Sequence, residues 1–247
     1  MSKKLKPIKI TAYTYNAAVK KYADIKNTNH FKPDWHKELP VARDDDFYAE
    51  PNMKMCRGFN QVFNKGFVVP FWCDYKVRVG VKGDTDYEWI SSSDDFNAVA
   101  HPQSQRGSYL PDTKYSHIKF DAPWLVSCDE DIEFLYAYNS WVSNSPEGMV
   151  IPVGVLDFKY NNGVNMNVFF TRGDKEKVYH VAAGEPFVQL IPLSDRPVEV
   201  ETKVVSRSDY NMMHTESTML KFRGTSYWKV KSASKECPFS DNNKGDK

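Results

Sequence analysis

Between Gly148 and Val200 the chain reads GMVIPVGVLDFKYNNGVNMNVFFTRGDKEKVYHVAAGEPFVQLIPLSDRPVEV, and no other stretch limits the possible folds as strongly. Short runs rich in Val, Ile, Phe and Tyr alternate with turn residues: Asn161-Asn162-Gly163, Arg172-Gly173-Asp174, Gly184-Glu185-Pro186 and Ser194-Asp195. β-Branched and aromatic side chains suit a pleated, half-buried surface, while Gly, Asn, Asp and Pro supply the backbone angles of tight turns. The pattern predicts consecutive antiparallel strands forming the core sheet of a β-sandwich.

The rest of the chain agrees with that class. From Cys73 to Val81, apolar Cys73, Tyr75, Val77, Val79 and Val81 alternate with Asp74, Lys76 and Arg78, as in a strand wet on one face. Further strands are expected at 7–13, 87–91, 115–120, 124–126 and 132–138. Helical spacing is confined to a few places. Asn16 caps a short turn to Tyr22. Pro33 and Pro40 bracket another, with Trp35 and Leu39 one turn apart. Met55, Phe59, Val62 and Phe63 mark a helix over 53–66, closed by Gly66. A last helix runs from Asp209 as N-cap to about Phe222. Nothing alternates strand with helix as a parallel βαβ sheet would. The expected fold is mainly β: a single antiparallel β-sandwich or jelly-roll-like domain with two or three short helices and extended termini. It divides into an N-terminal arm (1–52), a sandwich core (53–205) and a C-terminal helix and tail (206–247). The aromatic content of 14% favours such a strand-rich core.

A formal charge of +1 provides no global field for nucleic acid or anionic membrane, and no apolar run approaches the length of a membrane span. The basic and aromatic runs Tyr75–Arg78 and Ser226–Lys231 are explained by strand alternation as well as by nucleic-acid contact. The four cysteines form no C-x-x-C pair, and the basic N-terminus has no apolar core after it, so no secretory leader is expected. Reduced thiols and intracellular manufacture are expected.

Few residues suggest chemistry. The connection from Ser92 to Lys114 is long, and long connections are often functional. It gathers His101, Gln105 and Arg106, suited to a polar or anionic ligand above a rigid sheet. Gln189 is a polar exception in the 187–191 strand, bracing a loop or facing a pocket. A jelly-roll metal site would require His101, His117 and His180 to converge, because no two of the six histidines lie within four residues of each other. The acidic pairs and triplets Asp94-Asp95 and Asp129-Glu130-Asp131 read as solvated turns rather than as a glycosidase pair. Nucleophile elbows and phosphate-binding glycine loops are missing, and no cofactor is implied.

Several fragments are informative as an ordered set: Phe31-Lys32-Pro33-Asp34-Trp35-His36, Cys56-x-Gly58-Phe59, Trp72-Cys73-Asp74-Tyr75, His101-x-x-x-Gln105, Pro152–Asp157, Asn165-Met166-Asn167 and Ala183–Pro192. Together, over about residues 7–205, the chain resembles an uncharacterised family of tailed-phage and bacterial proteins. That resemblance carries no catalytic residues. It implies a viral setting, in which the expected role is a non-enzymatic structural or assembly protein of a tailed-phage virion. The implied partners are other virion proteins or copies of itself, with neither a membrane nor a specific nucleic acid, and the implied place is the virion, after manufacture in the host cytoplasm. The alternatives are a metal-dependent jelly-roll enzyme and a carbohydrate- or ligand-binding module using aromatics of the long loop.

Overall fold

The computed structural model describes residues 5–40, 52–96, 98–141 and 147–222, with backbone alone for 216–222. In chain order the strands are β1 (Ile8–Thr14), β2 (Lys26–Asn27), β3 (Phe67–Pro70), β4 (Tyr75–Val79), β5 (Tyr87–Ser91), β6 (Ala98–Ala100) and β7 (Tyr115–Ser127). They continue as β8 (Glu133–Tyr138), β9 (Met149–Val150), β10 (Gly154–Asp157), β11 (Gly163–Thr171), β12 (Lys177–Val181), β13 (Pro186–Pro192) and β14 (Val198–Val204). The α-helices are α1 (Ala17–Tyr22), α2 (Asp34–Glu38), α3 (Arg57–Val62) and α4 (Arg207–Phe222).

The molecule is mainly β, and its sheets enclose one principal core. The largest sheet has the order β14-β1-β7-β11-β9, with β6 added along part of β7. A second has the order β10-β8-β13-β3-β2, and a third β12-β4-β5. The second and third sheets meet at a corner, where Phe71 N donates to Glu185 O at 2.9 Å and Gly184 N to Phe71 O at 2.8 Å. Gly184 takes a φ of 86°, and a Cβ there would come within 2.8 Å of Tyr22 O, so the corner requires glycine. Phe120 on β7 ties the layers together. Its ring meets Tyr75 of β4 at 4.8 Å, Phe187 of β13 at 6.1 Å and Phe71 at 6.3 Å. A fully buried aromatic of this kind contributes about 2–3 kcal/mol by transfer from water.

The stretch from Gly148 to Val200 does form strands, but not one sheet. β9, β11 and β14 join the largest sheet, β10 and β13 the second, and β12 the third. Local patterning sets which residues point inward; it carries no information about which long-range partner each strand takes. Residues 8–14, placed by sequence in a terminal arm, lie inside the largest sheet. β1 pairs with β14 in parallel from Ile8↔Val198 to Thr14↔Val204, and with β7 in antiparallel. This is a departure from an all-antiparallel sandwich, and it sets the first strand beside the last one.

The runs 115–120 and 124–126 fuse into the single strand β7 despite Pro123. β6 pairs with Ile118–Phe120 and β1 with Leu125–Ser127, so the proline falls in the gap between two successive neighbours, where no N–H is needed. Asn16 caps α1 as expected, accepting from Ala18 N and Val19 N at 2.9 and 3.2 Å. The cap of α4 is Ser206 rather than Asp209. Ser206 Oγ accepts from Asp209 N at 3.1 Å and donates to Asp209 Oδ2 at 2.7 Å, which places the aspartate at the third helical position. The helix expected over 53–66 is shorter, a single turn at Met53–Met55 followed by α3. The acidic run at 44–46, Cys237 and the tail beyond 222 lie outside the described residues.

Candidate functional site

One face of the β7–β11 ladder carries most of the polar chemistry. β7 and β11 pair as His117↔Phe169, Lys119↔Asn167 and Asp121↔Asn165. Ile118, Phe120, Val164, Met166, Val168 and Phe170 point into the core, so Tyr115, His117, Lys119, Asp121, Asn165, Asn167 and Phe169 share the outer face. Two segments cover that face. The connection 101–114 lies over the His117–Phe169 end, and α4 lies toward the Asp121–Asn165 end.

The first cover is a closed polar plug. Arg106, its side chain only 7% exposed, donates from Nε to Tyr109 O and Leu110 O at 3.1 Å each and from Nη1 to His101 O at 3.1 Å. Its Nη2 pairs with Asp112, and its guanidinium lies over the Phe169 ring at 5.5 Å. His101 Nδ1 bonds Gln105 Oε1. The His117 ring stacks on Phe169 with centroids 4.2 Å apart, and its Nε2 is 3.0 Å from Asn167 Oδ1. Burial pushes His117 below the usual histidine range, reinforced by His101 and Arg106 and opposed by the Asn167 bond. The imidazole therefore stays neutral, one ring nitrogen donating to Asn167. Arg106 and Gln105 thus hold the loop's own groups.

His101 and His117 do come together, with ring centroids 5.0 Å apart. His180 does not join them: it is an exposed residue of β12, opposite Lys76 of β4 in a different sheet. Among the described residues no group of three or more His, Cys, Asp or Glu side chains is arranged to hold a metal ion. Gln189 is 2% exposed, and its amide nitrogen donates to Val62 O at 2.8 Å, Lys65 O at 2.9 Å and Thr28 Oγ1 at 3.2 Å. It therefore braces the end of α3 against β13. Of the acidic runs, Glu130 is held by Arg196 at 2.8 Å, which keeps its carboxyl below the usual range. Arg78 is likewise enclosed, bonding Glu88, Glu176 and Asp86 at 2.7, 2.9 and 3.1 Å.

The second cover leaves an open groove of about 500 Å³. Its floor is Lys119, Asp121, Ala122, Pro123 and Leu125 of β7 with Gly163 and Asn165 of β11. One wall is α4, through Arg207, Tyr210, Asn211 and His214; the other is Tyr15 with Asp95 and Phe96. The helix is fastened at its start. Tyr210 meets the edge of Tyr15 at 4.9 Å, and the Arg207 guanidinium sits over the Tyr15 ring at 4.8 Å and 3.5 Å from Asp95 Oδ1. Tyr15 OH donates to Asp95 O at 3.3 Å. Burial raises both phenols, aided at Tyr15 by Asp95 and at Tyr210 by Tyr15 and Asp121, so both remain protonated donors. Lys119 Nζ lies 3.0 Å from Asp121 Oδ1, an ion pair that balances both charges.

Sequence reading passes over this groove because its residues are scattered from Tyr15 to His214. The local signal was present in the alternation of Asn165-Met166-Asn167 against Lys119-Phe120-Asp121, which puts polar side chains on a face that a core strand has no need to keep polar. No family model matches the chain, and no curated protein matches it.

Proposed function

We propose that this chain is a non-enzymatic structural or assembly protein of a tailed-phage particle, docking against other particle proteins or copies of itself. The viral setting rests on the resemblance of the ordered fragments from Phe31 to Pro192. The observation that carries an assembly role is the character of the sheet edges. β10 is an outermost strand of the second sheet, and Val155 on it and Val153 just before it are 50% and 64% exposed. β5 is an outermost strand of the third sheet, and its Ile90 is 66% exposed. An apolar edge strand is a template for pairing with another chain, and monomers normally blunt such edges with charge. This protein does so elsewhere: β14, at the edge of the largest sheet, carries Glu199, Glu201 and Lys203, the last two paired at 3.0 Å. Charge on one edge and valine or isoleucine on two others supports selective lateral contact. Among the described residues, no helix is long and apolar enough to cross a membrane.

Mass spectrometry of purified particles from a host producing this chain tests the reading. The chain is expected as a stoichiometric particle component, and Val155→Lys with Ile90→Lys is expected to lower its copy number while leaving the isolated protein folded. Absence from particles, or incorporation unaffected by both changes, overturns it.

A further inference from the structure

The groove beneath α4 has a chemistry of its own, independent of any assembly role. Its charges balance among the lining residues: Lys119 and Arg207 stand against Asp121 and Asp95, at 3.0 and 3.5 Å. A site for a phosphate or another anion would collect unopposed cations, and a cation site would collect unopposed carboxylates. Here neither sign is in excess. What remains toward the open space is a mixture of donors and acceptors on planar groups. Asn165 and Asn211 each offer an amide that both donates and accepts, and Asp121, paired to Lys119 and with its side chain 37% exposed, adds a carboxylate acceptor. Beside these groups lie apolar surfaces, the Tyr15 and Tyr210 rings and the Ala122-Pro123-Leu125 floor. The volume of about 500 Å³ lies inside the range of small-molecule sites.

We infer that this groove binds an uncharged saccharide. Each hydroxyl of a sugar donates and accepts at once, matching neighbouring carboxylate, ammonium and amide groups, while the C–H face of the ring packs on aromatic and proline surface. Asp121 takes a hydroxyl hydrogen, Asn165 and Asn211 clamp hydroxyls from floor and wall, and Tyr210 presents its ring. The open floor at Gly163 leaves room for the sugar: a Cβ there would meet only ordinary contacts at 3.8 and 3.9 Å.

The test is an array of uncharged mono- to tetrasaccharides probed with the full chain, followed by calorimetry with the best binder. Expected is at least one sugar with a dissociation constant in roughly the 0.1–1 mM range. Asn165→Ala and Asn211→Ala should each weaken binding about tenfold, with unchanged circular dichroism, while Lys177→Ala on β12 leaves it intact. Asp121→Asn, which retains an acceptor but loses the charge, should keep part of the affinity. Three results overturn the inference: no uncharged sugar binds, binding survives both asparagine changes, or inorganic phosphate displaces the sugar at equal concentration.

Discussion

Two halves of one sheet face are finished in opposite ways. At the His117–Phe169 end, the 101–114 connection folds down until its polar groups meet each other: Arg106 with three carbonyls and Asp112, His101 with Gln105, His117 with Asn167. At the Asp121–Asn165 end, α4 stands off the same two strands, and the polar groups face space. The strands are continuous between the two, so the difference comes from the covers. A connection can curl an arginine back onto its own carbonyls. A helix uses its carbonyls internally and can offer the sheet only side chains. Polar residues on a sheet face are therefore weak indicators of a site; the groups facing them decide.

Arg106 is the centre of the closed end. If the plug is a structural unit, Arg106→Ala removes the centre of its network and strands Asp112 and several carbonyls, costing about 3 kcal/mol in urea denaturation. Arg106→Lys should recover little of it, since an ammonium cannot reproduce the fork that spans His101 O, Tyr109 O and Leu110 O. A loss below about 0.5 kcal/mol, in the range of an ordinary surface change, would mean that the loop is held elsewhere and that the two ends are alike.

A smaller effect comes from pH. His117 is held below the ordinary histidine value mainly by burial, so the unfolded chain takes up a proton before the folded one does. Its neutral form is compatible with full stability above the unfolded value of about 6.5. Stability is lost as pH falls through that value toward the lower folded one. His36, buried among Trp35, Phe59 and Phe63 and lowered by burial and then by Lys32, acts in the same window. His117→Gln separates the two. It should flatten the acid-side slope of stability without changing sugar binding in the groove. An unchanged slope would show that His117 already reaches solvent.

How much of this was visible beforehand differs between the two ends. His101, Gln105 and Arg106 stood out because they lie together in sequence, and the fold does bring them together. Whether they serve a ligand or one another depends on where the carbonyls of Tyr109 and Leu110 fall, and Leu110, with its φ of 45°, carries no glycine to announce that turn. The alternation along 73–79 correctly showed which side chains face inward, while Val81, assigned to the same face, lies beyond β4 and is 41% exposed. Sheet membership was not visible: β12 and β13 are joined by a short corner yet enter different sheets, and β1 pairs with β14 from the other end of the described chain. Pairings of that span depend on the summed fit of the whole core. The groove was the least visible feature, because it needs Tyr15, Asp121, Asn165 and Asn211 at once.

Two neighbouring asparagines distinguish the two covers at the finest scale. Asn165 and Asn167 sit two apart on β11, on the same face, with Met166 between them in the core. They differ only in what covers them. Asn167 holds His117 Nε2 at 3.0 Å inside the plug, so Asn167→Ala should cost about 1 kcal/mol by leaving that ring nitrogen unpaired. Asn165 is exposed at the groove floor, so Asn165→Ala should change stability by no more than about 0.5 kcal/mol in either direction. The double change should then be additive, because the two side chains share no partner among the bonds that define either cover. Paired urea titrations of the three variants measure all of this. Equal costs at the two positions would place Asn165 in a closed network like that of Asn167, leaving no polar group there to meet a ligand.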